Sequence, residues 1–251
     1  MLNENVILAQ NAMIKKTTAA ILYETNSDLV IENLNLGAPG PKEVLVQMGA
    51  AGVCHSDVHV ISGQAHQLMP CVLGHEGAGL VTAIGNEVSR VSVGDHVILS
   101  WLPYCENCYQ CIRGKTHLCK AFQTPVSNGT LLDGSCRFSN KQGPIRQLGS
   151  LGCWSENVVV SEECCVTVNR SIPFEIAALL GCAVTTGVGA VLNRAKVQKG
   201  ETVVVIGAGG VGLSVVMAAK LQGASQIICI DKNSGMRNLA IELGATDFLV
   251  A

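Results

Sequence analysis

Apolar residues recur along this chain in two rhythms. Up to about Thr186 they come in short runs broken by Gly, Pro and polar turns: Ala19–Tyr23, Leu29–Leu34, Val44–Ala51, Leu80–Ile84 and Val97–Leu99. Short strands with turn signals at this spacing predict a mainly antiparallel β domain. Pro173–Leu180 reads as a helix with proline in its first turn. After Thr186 the rhythm changes. Strands at Thr202–Ile206, Gln226–Asp231 and the start of a third at Phe248–Val250 alternate with helices at Val211–Leu221 and Met236–Leu243, the second ended by Gly244. That alternation predicts βαβ units on a parallel sheet, and the continuously apolar strands predict helices on both of its faces. Two domains are therefore expected, residues 1–185 and 186–251. A doubly wound dinucleotide fold has two such halves; only the first is present, so a longer natural protein is expected.

Composition narrows the class. Of the 251 residues, 48% are hydrophobic and 14% charged, with a formal net charge of −2. A packed core is well supplied, and the clustered basic surface of a nucleic-acid binder is missing. Met1–Gln10 lacks the basic start and apolar stretch of an export signal. The longest uncharged apolar run, Val203–Ala219, is shorter than a spanning helix needs and is interrupted by Gly207, Gly209, Gly210 and Gly212, so no membrane partner is expected. Twelve cysteines are many for this length. With an adequate core and no export signal, they point to thiols in a reducing cytoplasm rather than to a disulfide framework.

Four of them, Cys105, Cys108, Cys111 and Cys119, form C-x2-C-x2-C-x7-C in a polar, Gly-containing lobe at about residues 104–120. Four thiolates at this spacing suit a closed, tetrahedral structural zinc site. Free thiols or an iron–sulfur cluster are the alternatives, and Lys120 stands where the bacterial ferredoxin run carries proline. Cys54, His75 and Cys182 are three more soft ligands, each among small neighbours (Gly52-Val53-Cys54, Gly74-His75-Glu76-Gly77, Gly181-Cys182-Ala183). Two thiolates and one imidazole with an open position match a catalytic zinc, although each taken singly reads as a buried cysteine or core histidine. Gly207-Ala208-Gly209-Gly210-Val211-Gly212 is G-x-G-x-x-G between a strand and a helix. Its glycines allow pyrophosphate to approach the helix N-terminus, and Asp231, ending the next strand, is positioned for ribose hydroxyls and against a 2′-phosphate, which favours NAD.

The stretches G-V-C-H-S-D-x-H (Gly52–His59), G-H-E-G-A-G (Gly74–Gly79), the cysteine lobe and G-C-A-V-T-T-G (Gly181–Gly187) together resemble the zinc-containing medium-chain alcohol dehydrogenase family, over about Ala19–Ala251. The resemblance implies a GroES-like β domain with a zinc lobe followed by an incomplete Rossmann domain. It implies two zinc ions per chain: a catalytic one on Cys54, His75 and Cys182, and a structural one in the lobe. By position, Asp57 would accept the His75 ring N–H, Glu76 would stand beside the metal, and Ser56 and His59 would relay a proton. His55 stands where many members carry an arginine on the cofactor pyrophosphate, so that contact would not be permanently charged. Thr186 and Val211 would pack on the nicotinamide.

The activity implied is oxidation of a primary or aromatic alcohol to an aldehyde or ketone with NAD, through a zinc alkoxide and hydride transfer. Trp101 stands at a family pocket position. The segment Ala121–Ser150 resembles the branch of glutathione-dependent formaldehyde dehydrogenases, but Ala65 and Gln123 stand where that branch carries its acidic and arginine pair. Formaldehyde–glutathione or polyol oxidation, and a truncated non-catalytic zinc- and nucleotide-binding fragment, are the alternatives. The expected partners are a small alcohol or aldehyde and, at full length, further copies of the chain in a dimer or tetramer.

Overall fold

A computed structural model describes residues 15–251; the reading of Met1–Gln10 falls outside them. The chain divides into two compact units between Gly181 and Cys182.

Among the described residues the first unit contains ten strands: β1 (Lys15–Leu22), β2 (Val30–Leu36), β3 (Glu43–Ala51), β4 (Cys71–Val72), β5 (Gly77–Ile84), β6 (His96–Leu99), β7 (Phe138–Asn140), β8 (Gly143–Gln147), β9 (Asn157–Ser161) and β10 (Cys165–Thr167). They form a closed barrel, β1-β2-β7-β8-β4, and a five-stranded sheet, β10-β6-β5-β3-β9. Every pairing is antiparallel except β4 with β8. The period-two alternation of the strands sends Ile21, Leu34, Val44, Val46, Val81, Val97, Phe138 and Val159 into one core, each fully buried or nearly so. Burial of each such side chain contributes about 1.5–3 kcal/mol. A bidentate ion pair from Arg137 to Glu43, at 2.8 and 2.6 Å, ties the segment before β7 to the start of β3.

The β3–β5 ladder positions the candidate site. The register closes at Ala51 opposite Gly77, so the turn leaving β3 lies beside the turn leading into β5, and Gly52 N–H donates to Glu76 C=O at 2.9 Å. The first turn carries Cys54 and runs into a helix, His55–Ile61; the second carries His75. Two residues distant in sequence are thereby delivered to one sheet end.

The lobe contains helical turns at Tyr109–Ile112 and Thr116–Leu118 and leads into a helix over Lys120–Asn128. The helix expected at Pro173–Leu180 starts at Phe174, but the helical run continues to Ala195 through alternating α and π turns. By length and composition this run is apolar enough to cross a membrane. Its first turns are packed into the β domain, where Ala177 and Ala178 are buried with Ala78 and Ile98.

The second unit holds three parallel strands, β11 (Thr202–Ile206), β12 (Gln226–Asp231) and β13 (Asp247–Val250), in that order. Helices Gly210–Leu221 and Arg237–Leu243 cover one face, burying Val205, Leu213, Val216, Ile227, Cys229, Ala240 and Phe248. The expectation of helices on both faces is corrected here: among the described residues the side chains alternating with these, Val204, Ile206 and Leu249, are exposed, Ile206 by 85%. The apolar character of the strands belongs to a face that these two helices do not cover.

Candidate metal centre and cofactor loop

Asp57 organises the two turns beside β3 and β5. It is the third residue of the helix that Cys54 caps, and its carboxylate is fully buried. One oxygen accepts the Cys54 N–H at 2.9 Å; the other accepts the Gly74 N–H at 3.2 Å and lies 3.1 Å from His75 Nδ1. A carboxylate is an acceptor only, so it holds His75 with the proton on Nδ1 and leaves Nε2 with a lone pair for a metal. His75 and Glu76 are both buried.

Glycines make room for this arrangement. A Cβ on Gly52 would stand 2.2 Å from Glu76 Oε2, so only glycine lets that carboxylate lie against the Cys54 turn. Gly74 has φ +87°, and a Cβ there would stand 2.4 Å from the Trp154 ring. Gly181 packs against β6, where a Cβ would meet Leu99 O at 2.7 Å. Cys182, the next residue, opens the second unit. Within the first unit Cys54, His75 and Glu76 each offer one ligand atom, all within 4.8 Å of one another. A thiol, an imidazole and a carboxylate converging this closely are donor types that fit zinc.

Ser56 and His59 follow on the Cys54 helix. Ser56 is exposed, with Oγ 3.7 Å from Cys54 Sγ. His59 meets the ring of His55 edge-on at 4.8 Å between centroids, one helical turn apart. Ser56 and His75 open onto a chamber of about 220 Å³ whose other walls are Val60, Ala65, His66, Trp101, Val126, Leu148 and Gly149. Trp101 stands 6.2 Å from His75 between ring centroids. A second chamber of about 230 Å³ shares Trp101 and Val126 and includes Leu118, Phe122 and Gln123. Val126, Leu148 and His66 had no signal in the sequence beyond lying near Gly or Pro; their shared place in the chamber wall alone reveals them.

In the lobe, Cys105, Cys108, Cys111 and Cys119 offer sulfurs all within 4.8 Å of one another. Cys108–Cys111 and Cys105–Cys119 each stand at 3.5 Å, too far for a disulfide and suited to a shared ion. Backbone N–H groups of Cys111 and Lys120 pull the Cys108 thiol down to about 6. Burial pushes Cys111 up to about 12, with the Cys108 and Cys119 side chains adding to it. Cys119 is pushed up by burial but is lowered in net by N–H groups of Cys105, Ala121 and Phe122. A mixed thiol and thiolate set of this kind releases its remaining protons when a divalent ion binds. By contrast, burial raises Cys71, Cys153, Cys164, Cys165 and Cys229, and it also raises the half-buried Cys136, which disfavours the thiolate form at all six.

In the second unit, β11 ends at a short loop in which Gly209 is exposed and Ala208 buried, and the helix Gly210–Leu221 begins. Gly207 has φ +101°, and a Cβ on Gly212 would stand 1.8 Å from Gly207 O, so the turn closes only without side chains. Cβ atoms on Gly207 and Gly209 would meet nothing within 4 Å, leaving open space over the helix N-terminus. That cradle fits a pyrophosphate. Asp231 accepts N–H groups of Ala208 at 2.6 Å and Asn233 at 2.8 Å, which together hold its carboxyl below the ordinary value. Arg237 donates to Phe248 O at 2.9 Å and lies over the Phe248 ring, so its guanidinium is engaged there. Thr186 and Val211 are exposed.

The alcohol dehydrogenase GroES-like domain family matches residues 40–170. S-(hydroxymethyl)glutathione dehydrogenase of Saccharomyces cerevisiae is 43% identical over 93% of this chain and 61% of its own length. Among solved structures, an alcohol dehydrogenase zinc-binding domain protein from Burkholderia ambifaria superposes with a TM-score of 0.89 at 34% identity, over 95% of this chain and 65% of that one. Benzyl alcohol dehydrogenase from Acinetobacter calcoaceticus gives 0.87 at 35% identity, over 94% and 64%. The chain thus spans about three fifths of the length of the curated relatives it matches. The matched domain holds Cys54, His75 and all four lobe cysteines, and by that match this chain belongs to the zinc-containing medium-chain alcohol dehydrogenase family.

Proposed function

We propose that this chain is the metal- and cofactor-binding part of a zinc- and NAD-dependent oxidoreductase that oxidises a primary or aromatic alcohol to an aldehyde or ketone. The observation that carries the reading is the convergence, within the first unit, of Cys54, His75 and Glu76 ligand atoms to within 4.8 Å, with Asp57 bonded to both ligand turns. Cys54, His75 and Cys182 would hold one zinc, and the lobe cysteines a second. Zinc at the first site supplies Lewis acidity that lowers the pKa of an alcohol hydroxyl. Asp57 fixes the His75 tautomer, and Glu76 stands beside the ligands. Ser56, facing the chamber beside Cys54, takes the hydroxyl proton and His59 passes it on. The Gly207, Gly209, Gly210 and Gly212 loop takes the cofactor pyrophosphate, with His55 as a further phosphate contact. Thr186 and Val211 take the nicotinamide. Asp231 takes the ribose hydroxyls, and its negative charge disfavours a 2′-phosphate, hence NAD.

Oxidation of a glutathione adduct is the second reading, favoured by the yeast relative's name. The chamber linings speak for the first. Among the residues lining both chambers the titratable side chains are His66, His75, His117 and the lobe ligand Cys119, and Ala65 and Gln123 supply neither an acid nor an arginine. A tripeptide with two carboxylates and an ammonium group finds no permanently charged partner there. The test is zinc content per chain combined with NADH production across an alcohol panel, with and without glutathione. Two zinc ions and glutathione-independent turnover of benzylic alcohols are expected; turnover only with glutathione and formaldehyde would replace the first reading with the second. A cytoplasmic homo-oligomer, dimer or tetramer, completes the proposal.

A further inference from the structure

We propose that Trp154 is a positioning residue for the metal centre, locking together the two turns that present Cys54 and His75. The inference rests on the metal reading above. Residues 52–54 and 73–76 have no regular secondary structure, so their ladder bonds cannot by themselves fix the ligands. Trp154 joins them through one side chain. Its indole N–H donates to Gly52 C=O at 3.0 Å, two residues before Cys54. The same ring occupies the space over Gly74, directly before His75, where a Cβ would stand 2.4 Å from Cδ1.

The indole is itself anchored. The Trp154 N–H donates to Leu73 O at 2.9 Å, its carbonyl accepts the Ala20 N–H at 2.8 Å, and the neighbouring Cys153 N–H donates to Gly74 O at 2.9 Å. The ring is therefore fixed to the His75 turn by backbone, and it reaches across to the Cys54 turn by a single hydrogen bond. Asp57 makes the matching connection with N–H groups of Cys54 and Gly74. Asp57 takes up amide donors and Trp154 takes up the Gly52 carbonyl, so loss of either leaves the spacing of the sulfur and the imidazole less well defined. A site that must hold ligands to within a fraction of an ångström loses metal affinity when the supporting shell loosens.

Trp154→Phe keeps a ring against Gly74 and removes the indole donor; Trp154→Leu removes both. Zinc-loaded protein is titrated with a chelator, with the four-thiolate lobe as internal reference. The expected result is roughly tenfold weaker retention at the Cys54, His75 and Cys182 site in Trp154→Phe, more in Trp154→Leu, with lobe zinc unchanged. In cobalt-loaded protein the visible bands of the three-ligand site should shift while those of the lobe stay. Equal weakening at both sites would mean that Trp154 merely supports the fold, and unchanged retention at both would mean that the turns hold themselves; either result overturns the proposal. Wild-type protein that takes up only the lobe zinc would instead sink the metal reading on which it rests.

Discussion

Replacing Asp57 with asparagine tests whether a buried carboxylate organises the metal turns. The wild-type group is fully buried and takes three N–H groups on two oxygens, at 2.9, 3.1 and 3.2 Å. Asparagine has one acceptor oxygen, so one side of the amide must face donors with donors. If that oxygen stays toward Gly74 and His75, the Cys54 N–H is orphaned, at about 1–3 kcal/mol, and the two bonds kept lose their charge assistance at about 1 kcal/mol each. The smaller cost of burying a neutral amide offsets part of this, leaving a net loss of about 2–3 kcal/mol. If the amide flips, its NH₂ donates to His75 Nδ1 and moves the imidazole proton to Nε2, closing the atom a metal needs. In both orientations zinc affinity at this site should fall about 10–100-fold. Urea unfolding of the metal-free chain reads the first number and chelator competition the second. A variant within about 0.5 kcal/mol of wild type that also retains zinc equally well would refute the reasoning.

Gly212→Ala places a Cβ 1.8 Å from Gly207 O, so the cofactor turn must open; NAD binding by fluorescence titration should weaken by at least tenfold, while zinc content stays at the wild-type value. Cys111→Ser removes one lobe ligand; elemental analysis should find one zinc fewer per chain and calorimetry a lower thermal midpoint. Asp133 is pushed up by burial but held below its ordinary value in net by Ser135 and Arg137, so its contribution is fully present above about pH 4 and is lost as pH falls through the depressed value. Arg137→Met should therefore flatten the acid limb of the stability curve below about pH 4, and unchanged acid sensitivity would count against the Arg137–Asp133 contact at 3.0 Å.

The parts of the fold that a short stretch of chain dictates were legible. Val44–Ala51 and Thr202–Ile206 emerge as strands because their apolar runs end at turn residues, and Gly244 stops the last helix as its position demands. Continuation of the Phe174 helix to Ala195 was not legible. Gly181, Gly187 and Gly189 read locally as breaks, whereas in the structure Gly181 and Gly187 are points of close packing, against Leu99 O and Ser214. The uncovered sheet face escaped for a related reason: an apolar strand residue looks the same whether a helix covers it or not.

The lobe shows where sequence suffices for a site. Its four sulfurs lie within fifteen residues, and a short chain that must bring thiols to one ion leaves few other geometries. The second ligand set is different in kind. Between Cys54 and His75 stand a helix and a strand, and between His75 and Cys182 six of the ten strands, β5 to β10, together with the lobe. Nothing in local spacing states that β3 leaves the sheet where β5 begins, yet that register alone brings Cys54 beside His75. Small neighbours were the one visible trace. Gly52 admits the Glu76 carboxylate and Gly74 admits the Trp154 ring, at positions where any Cβ would clash. A glycine just ahead of a metal-ligating type thus marks a point that other atoms must approach closely, and what approaches is supplied by chain distant in sequence. Trp154 itself, in a run of Gly, Cys and Ser, carries no such trace, because its role lies in what it spans rather than in its neighbours.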